Sequence, residues 1–286
     1  MRIWLLLLAL LTPVGTASHL PLTGIAPGQV ELYELAPAPA LPAIKARSAI
    51  LLDLDSGKTL FARDAHGAFP PASLTKVMTA LTALDLLRLD QVVVVPASIN
   101  QLPWDSTRMG VWAGERLTVR ELMYGLFLNS GNDAAVTLSE AAMPRAAFVA
   151  RMNARAAGLG MGDSHFANPI GLDDAGLYTS AADLAKAAIE LRSRFPEVAA
   201  MATVPAMTLP ATATHHVLKL YNLNELIRTY RGATGLKTGW TGRAGGCLIA
   251  TANRDGRHLL AVVLGSPRVF EEAATVLDYG FAVSPA

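Results

Sequence analysis

The chain has 286 residues, 52% of them hydrophobic and 6% aromatic, with a formal net charge of +1. That length and apolar content suit one large domain or two lobes sharing a core and exclude a disordered tail. With no run of Lys or Arg and few aromatic residues, neither a phosphate-tracking groove nor a base-stacking platform is implied, so no nucleic-acid partner is expected.

In chain order, Met1-Arg2 precede an apolar run over residues 3–11 and a small-residue exit, Gly15-Thr16-Ala17-Ser18. This is the pattern of a secretory signal over residues 1–18, too short for a comfortable span of about 20 residues, so export to the periplasm or the extracellular space is expected, with no stable membrane anchor after cleavage. Residues 19–46 read as an extended spacer from Ala36-Pro37-Ala38-Pro39-Ala40, and residues 47–286 as one domain. Residues 49–54 and 59–62 form a hairpin through Asp55-Ser56-Gly57-Lys58. Pro70-Pro71 end it, and from Ser73 the spacing of Val77, Leu81, Leu84 and Leu87 predicts an amphipathic helix.

A helical lobe is expected over about residues 85–200. Thr118 with Glu121 predicts a capping box for a helix to residue 128, Asp133 caps a second to residue 140, and a third over 144–157 stops at Gly158. A fourth starts after Ser180, with Asp183 in an S-x-x-D capping arrangement. Strands over 245–252 and 258–264 join through Asn253-Arg254-Asp255-Gly256, and a last helix follows with Ser266 as N-cap and Pro267 at its first position. The β, α, β order predicts an α/β architecture: one antiparallel sheet built from both chain ends and flanked by helices, with the helical lobe inserted.

Three motifs fall on these elements: Ser73-Leu74-Thr75-Lys76, Ser130-Gly131-Asn132 and Lys237-Thr238-Gly239. An S-x-x-K occurs roughly once by chance in a chain this long, and Ser-Gly-Asn is also an ordinary turn. Their order together with the rarer K-T-G points to serine acyl transfer. Ser73 and Lys76 share one face of a helix start, where free N–H groups favour an oxyanion and disfavour a proton on the amine, with Lys237 adding to that push. Ser73 is then the nucleophile, Lys76 the general base and Ser130 the proton relay, while Asn132 holds a substrate amide and helps fix Lys76. Lys237 and Thr238 would bind a terminal carboxylate, Gly239 would let the substrate backbone lie close, and the N–H groups of Ser73 and Trp240 would form an oxyanion hole. The Trp240 side chain either walls the site or simply packs.

Other chemistries fail on spacing. His215-His216 are adjacent and no H-x-x-x-H or C-x-x-C occurs, so no metal or other cofactor is expected. Gly158-Leu159-Gly160-Met161-Gly162 follows a helix and reads as a stop, and the lone Cys247 as a buried strand thiol.

The three motifs resemble the penicillin-recognising serine enzymes, and most closely the D-alanyl-D-alanine carboxypeptidases among the low-molecular-mass penicillin-binding proteins. The likeness extends through Phe166-Ala167-Asn168-Pro169-Ile170-Gly171-Leu172, Tyr178-Thr179-Ser180-Ala181-Ala182-Asp183 and the stretch from Thr234 to Thr241. It implies an antiparallel sheet flanked by helices plus an all-helical lobe, with the site between them. It also implies peptidoglycan stem peptides ending in D-Ala-D-Ala as substrates and β-lactams as covalent inhibitors. Thr234 and Trp240 depart from the family's usual Asp-Gly and His around the third motif. The chain's end soon after the last helix leads one to expect no C-terminal β domain, a form similar to the muropeptide endopeptidases of the same family. A class A β-lactamase would carry E-x-x-L-N, which none of Glu190, Glu197 and Glu225 begins. A silent module that binds wall peptide or penicillin is the remaining alternative.

Overall fold

A computed structural model describes residues 39–283 of the protein. The expected leader and the spacer up to residue 38 lie outside that range. The end of the spacer packs on the domain: Ile44 and Ala46 are buried, and the Lys45 and Ala46 amides donate to the Glu272 carboxylate at 2.8 and 2.9 Å. Packing therefore begins a few residues before the boundary that composition marked.

Both chain ends contribute to a five-stranded antiparallel sheet. Its strands are β1 (Ser48–Asp53), β2 (Thr59–Arg63), β7 (Ala233–Thr241), β8 (Gly245–Arg254) and β9 (Arg257–Ser266), in the order β2-β1-β9-β8-β7. Two-residue alternation sends successive side chains to opposite faces. Leu248, Ala250, Leu259, Ala261 and Val263 pack under the terminal helix α8 (Val269–Val283), against its Ala273, Val276 and Leu277. Cys247, Ile249, Leu260, Val262 and Leu264 face the larger core. Because β8 and β9 are covered on both sides, their sequences read as continuous apolar runs.

The inserted lobe carries α1 (Thr75–Leu84), α2 (Val119–Phe127), α3 (Asn132–Ala142), α4 (Arg145–Gly158), α5 (Ala181–Arg194) and α6 (Pro196–Met201). It also carries a ribbon that the expected all-helical lobe lacked, β3 (Val92–Val94) with β4 (Arg116–Thr118), and past the lobe's expected end near residue 200 a second ribbon follows, β5 (Ala206–Leu209) with β6 (Leu218–Tyr221). Strands of three or four residues leave too little alternation to register as a pattern. A short helix α7 (Leu226–Thr229) leads back to the sheet.

Capping follows the sequence in two places and departs from it in two. The Thr118–Glu121 box is formed in both directions, and Ser180 Oγ accepts from the Asp183 amide at 3.1 Å. Asp133, however, lies inside α3, where its carboxylate accepts from the Met109, Gly110 and Val111 amides at 2.9, 2.8 and 3.3 Å. Those amides outbid the capping position because they belong to an irregular segment with no ladder partner. Likewise Ser266 closes β9 instead of capping at Pro267: its hydroxyl accepts from Arg268 N at 3.0 Å and donates to Glu272 at 2.7 Å, so α8 starts only at Val269.

Glu272 thus ties the start of the domain, the end of β9 and α8 with three hydrogen bonds at 7% exposure. Replacing it with Ala strands three donors, and Glu272→Ala is expected to lower unfolding stability by about 3 kcal/mol in urea titration. Exposed Glu271→Ala should stay within about 0.5 kcal/mol of wild type.

Candidate active site

The first motif reaches its geometry through a short 3-10 turn, Ala72–Leu74, ahead of α1, so Ser73 precedes the α-helix instead of opening it. Ala72 sits at φ 49°, a left-handed conformation for a non-glycine residue, and Gly171 touches it. A Cβ on Gly171 would lie 2.0 Å from the Ala72 carbonyl oxygen, and Gly171 itself has φ 86°. On the opposite side a Cβ on Gly239 would lie 2.9 Å from Ser73 N. Gly239 was expected to admit a substrate backbone. What its missing side chain admits is the protein's own Ser73 turn, clamped between two glycine backbones.

Behind that turn Lys76 Nζ meets three acceptors: Ser73 Oγ at 2.7 Å, Asn132 Oδ1 at 2.6 Å and the Ile170 carbonyl at 2.7 Å. The second motif is held just as firmly. Asn132 N donates to Thr107 O at 2.8 Å, Thr107 Oγ1 donates to Ser130 O at 2.8 Å, and Gly131 N donates to Gly125 O at 3.0 Å. No side chain fits at Gly131, where a Cβ would lie 2.7 Å from Asp133 Oδ1. Ser130 turns at φ 55°, and its hydroxyl is buried without a partner. An unpaired buried hydroxyl costs about 1–3 kcal/mol, which a ligand's polar group would recover.

The third motif lies on β7, an edge strand of the sheet. Ser73, Ser130, Asn132, Thr238, Gly239 and Trp240 line one cavity of about 620 Å³. The two lysines do not line it. Both are fully buried, and Lys237 Nζ donates to the Thr238 carbonyl at 2.8 Å. That carbonyl and the Trp240 amide belong to alternate residues and so share one edge of the strand. Trp240 is 73% exposed, which removes the simple-packing reading of its side chain.

Sequence reasoning missed the Ile170 carbonyl, since a main-chain acceptor has no residue-type signature, although Asn168 gives a local clue. Its Oδ1 accepts from the Ile170 and Gly171 amides at 3.2 and 2.7 Å, an Asx turn that aims that carbonyl. The discarded candidates have other occupations. His216 pairs with Glu115 and stacks on Trp112 at 3.9 Å, His215 faces Glu121, and no group of side chains fit to hold a metal occurs among the described residues. Glu190 and Glu197 pair with Arg155 and Arg120 away from the cavity. Cys247 is buried beside the Pro70 carbonyl, and burial pushes its thiol up to about 11.

Burial dominates the electrostatics. It holds the Lys76 amine well below its ordinary range, the charge of Lys237 lowers it further, and Asp133 opposes both. Burial alone brings Lys237 down to about 7. In the unfolded chain a lysine titrates near 10.4, so between about pH 7 and 10.4 the unfolded state binds more protons and stability gains with rising pH. Below about 7 that gain is gone, because the buried amine is charged. Lys237→Met removes this dependence. The stability difference, variant minus wild type, should therefore be largest at pH 6 and shrink steadily toward pH 10 in denaturant titrations at matched ionic strength.

Known proteins resemble this chain over most of its length. The family described as D-alanyl-D-alanine carboxypeptidase matches residues 35–268. The D-alanyl-D-alanine carboxypeptidase DacB2 of Mycobacterium tuberculosis is 37% identical over 253 residues, covering 86% of this chain and 85% of that protein. DacF of Bacillus subtilis, which bears the same enzyme name, is 34% identical over 83% of this chain but only 62% of its own length. A crystal structure of the D-alanyl-D-alanine carboxypeptidase from Mycobacterium tuberculosis superposes with a TM-score of 0.78 at 36% identity, over 88% of this chain and 96% of that one. The structure of a Streptomyces DD-transpeptidase does so at 0.76 and 29% identity, over 84% and 98%. With the match spanning the sheet, the inserted lobe and all three motifs, the chain belongs to the D-alanyl-D-alanine carboxypeptidase family.

Proposed function

We propose that the protein is a serine-type D-Ala-D-Ala carboxypeptidase that trims peptidoglycan stem peptides through an acyl-enzyme and is acylated by β-lactams. The observation that carries this reading is the set of partners around Lys76. A neutral amine has two N–H donors and one lone pair. Asn132 Oδ1 and the Ile170 carbonyl can only accept, so they take the two donors and leave the lone pair facing Ser73 Oγ. Burial and the nearby Lys237 favour that neutral form.

In the first step Ser73 Oγ attacks the carbonyl carbon of the D-Ala-D-Ala bond while its proton passes to Lys76 Nζ. The oxyanion that forms points at the N–H groups of Ser73 and Trp240, donors of a kind worth roughly 3–4 kcal/mol in the transition state. Collapse breaks the C–N bond, and the Ser130 hydroxyl hands a proton from the lysine to the departing amine. Water then attacks the ester, with Lys76 again taking the proton, and Ser73 is restored. Asn132, whose Oδ1 is committed to Lys76, keeps its Nδ2 as a donor for a carbonyl of the substrate. The terminal carboxylate meets Thr238 directly. Lys237 serves it from behind the strand through its charge, a change from the direct grip expected of it.

We propose further that residues 1–18 export the protein and are removed, residues 47–286 form the catalytic domain, and the activity is exerted outside the cytoplasm. The family's action on peptidoglycan supports that location. Among the described residues no helix is long and apolar enough to cross a membrane.

Fluorescent penicillin should label wild type and leave Ser73→Ala unlabelled, and HPLC of a monomeric pentapeptide muropeptide should show release of one D-Ala. Absence of both label and release would sink the proposal, and rapid turnover of a chromogenic cephalosporin would replace it with a β-lactamase. Gly239→Ala forces the Ser73 turn off the strand. It is expected to slow acylation by at least about 100-fold, the scale of a lost oxyanion donor, with circular dichroism like that of wild type.

A further inference from the structure

One end of the cavity lies beyond the reacting atoms. With the leaving D-Ala at Thr238 and the scissile carbonyl at Trp240, the acyl portion of the substrate has to continue past Trp240 toward Thr241 and Gly242. Two carboxylates line the cavity, and one of them, Asp173, stands at this end. Asp173 is exposed and accepts from Thr241 Oγ1 at 2.8 Å, which holds it beside β7. Asp105 is exposed on the lobe side and makes no ion pair among the described residues. Its turn is rigidly built: Ser106 N and Oγ donate to Pro103 O at 3.1 and 2.9 Å, and Arg108 Nη2 donates to the Leu102 and Pro103 carbonyls at 2.9 and 3.2 Å. Thr107, the next residue but one, is tied to Ser130 and Asn132, so the turn keeps a fixed place on the cavity wall.

Among the described residues no Lys or Arg lines the cavity to offset these charges. Arg108 is committed to carbonyls, Lys237 is sealed behind Thr238, and Arg243 Nη1 meets the Asp174 carbonyl at 3.4 Å. Trp240, which lines the cavity and is 73% exposed, adds an indole face, which attracts ammonium groups. The buried, unpartnered Ser130 hydroxyl in the same cavity marks it as built for a polar ligand.

We propose that Asp105 and Asp173, with Trp240 beside them in the cavity, select stem peptides in which the diamino residue before D-Ala-D-Ala bears a free, protonated side-chain amine. Stems whose amine is acylated, as in a cross-link, are then disfavoured. The inference rests on the D,D-peptidase reading and assigns its substrate class. A side-chain amine titrates near 10.4 and is charged at neutral pH, whereas its amide is neutral. The preference is electrostatic and partly exposed, so it should be modest and sensitive to salt.

The test compares Nα-acetyl-Lys-D-Ala-D-Ala with its Nα,Nε-diacetyl counterpart at low and high ionic strength. Wild type should favour the free amine about tenfold in kcat/KM at low salt, chiefly through KM, and the ratio should fall as salt rises. Asp105→Asn and Asp173→Asn should each pull the ratio toward one, and the double variant should reach it. A wild-type ratio within twofold of one, a preference for the diacetyl peptide, or a ratio that survives the double variant overturns the selectivity while leaving the peptidase reading intact. Hydrolysis of neither peptide overturns both. The wild-type ratio and its salt dependence decide the matter even if a variant fails to fold.

Discussion

Three acceptors around one buried amine set the terms for this molecule. Taking a lysine out of water is costly, and the fold accepts that burden only because each direction from Nζ ends on an oxygen supplied by a different part of the chain. Ser73 comes from the turn before α1, Asn132 from the start of α3, and the Ile170 carbonyl from the loop ahead of α5. The amine is thus a junction between the lobe and the sheet-bound turn. Any slip of α3 relative to α1 would strand it, which accounts for the density of backbone ties around Ser130 and Asn132.

A second lysine sharpens the same logic. Lys237 is buried on the sheet side with the Thr238 carbonyl as its one hydrogen-bond partner among the described residues, and its positive charge works on Lys76 at a distance. Like charges held apart by structure cannot both stay protonated comfortably, and burial together with the charge of Lys237 favours neutrality at Lys76. Asp133 pulls the other way but is occupied by main-chain amides, so its charge is largely answered before it reaches Lys76.

Much of this was legible beforehand, for physical reasons. Acyl transfer demands particular side chains at particular spacings, so Ser73, Lys76, Ser130, Asn132 and Thr238 could be placed from the motifs, and doubly covered strands such as β8 and β9 show as apolar runs. Less visible were features that depend on what lies across the fold. The left-handed Ala72 needs Gly171 against it, the Ile170 carbonyl has no side chain to betray it, and the depth of Lys237 follows from neighbours, not from its own identity. Asp133 misled because a capping residue is recognised by local context, while its carboxylate found partners in a distant segment; Ser266 misled because its hydroxyl turns to Arg268 N and Glu272 nearby and the helix starts only at Val269.

The place of β7 at the border of the sheet carries one more consequence. An unpaired strand border is a standing invitation to another chain, and proteins usually blunt it with charge, proline or a covering loop. Here the border that would recruit a neighbouring copy is the one along which substrate lies, so it has to stay open. The lobe stands over that border: Ser130 and Asn132 line the same cavity as Thr238, Gly239 and Trp240. A second copy seeking to pair with β7 would therefore have to enter the cavity itself, so the catalytic cleft doubles as the cover of an open strand border.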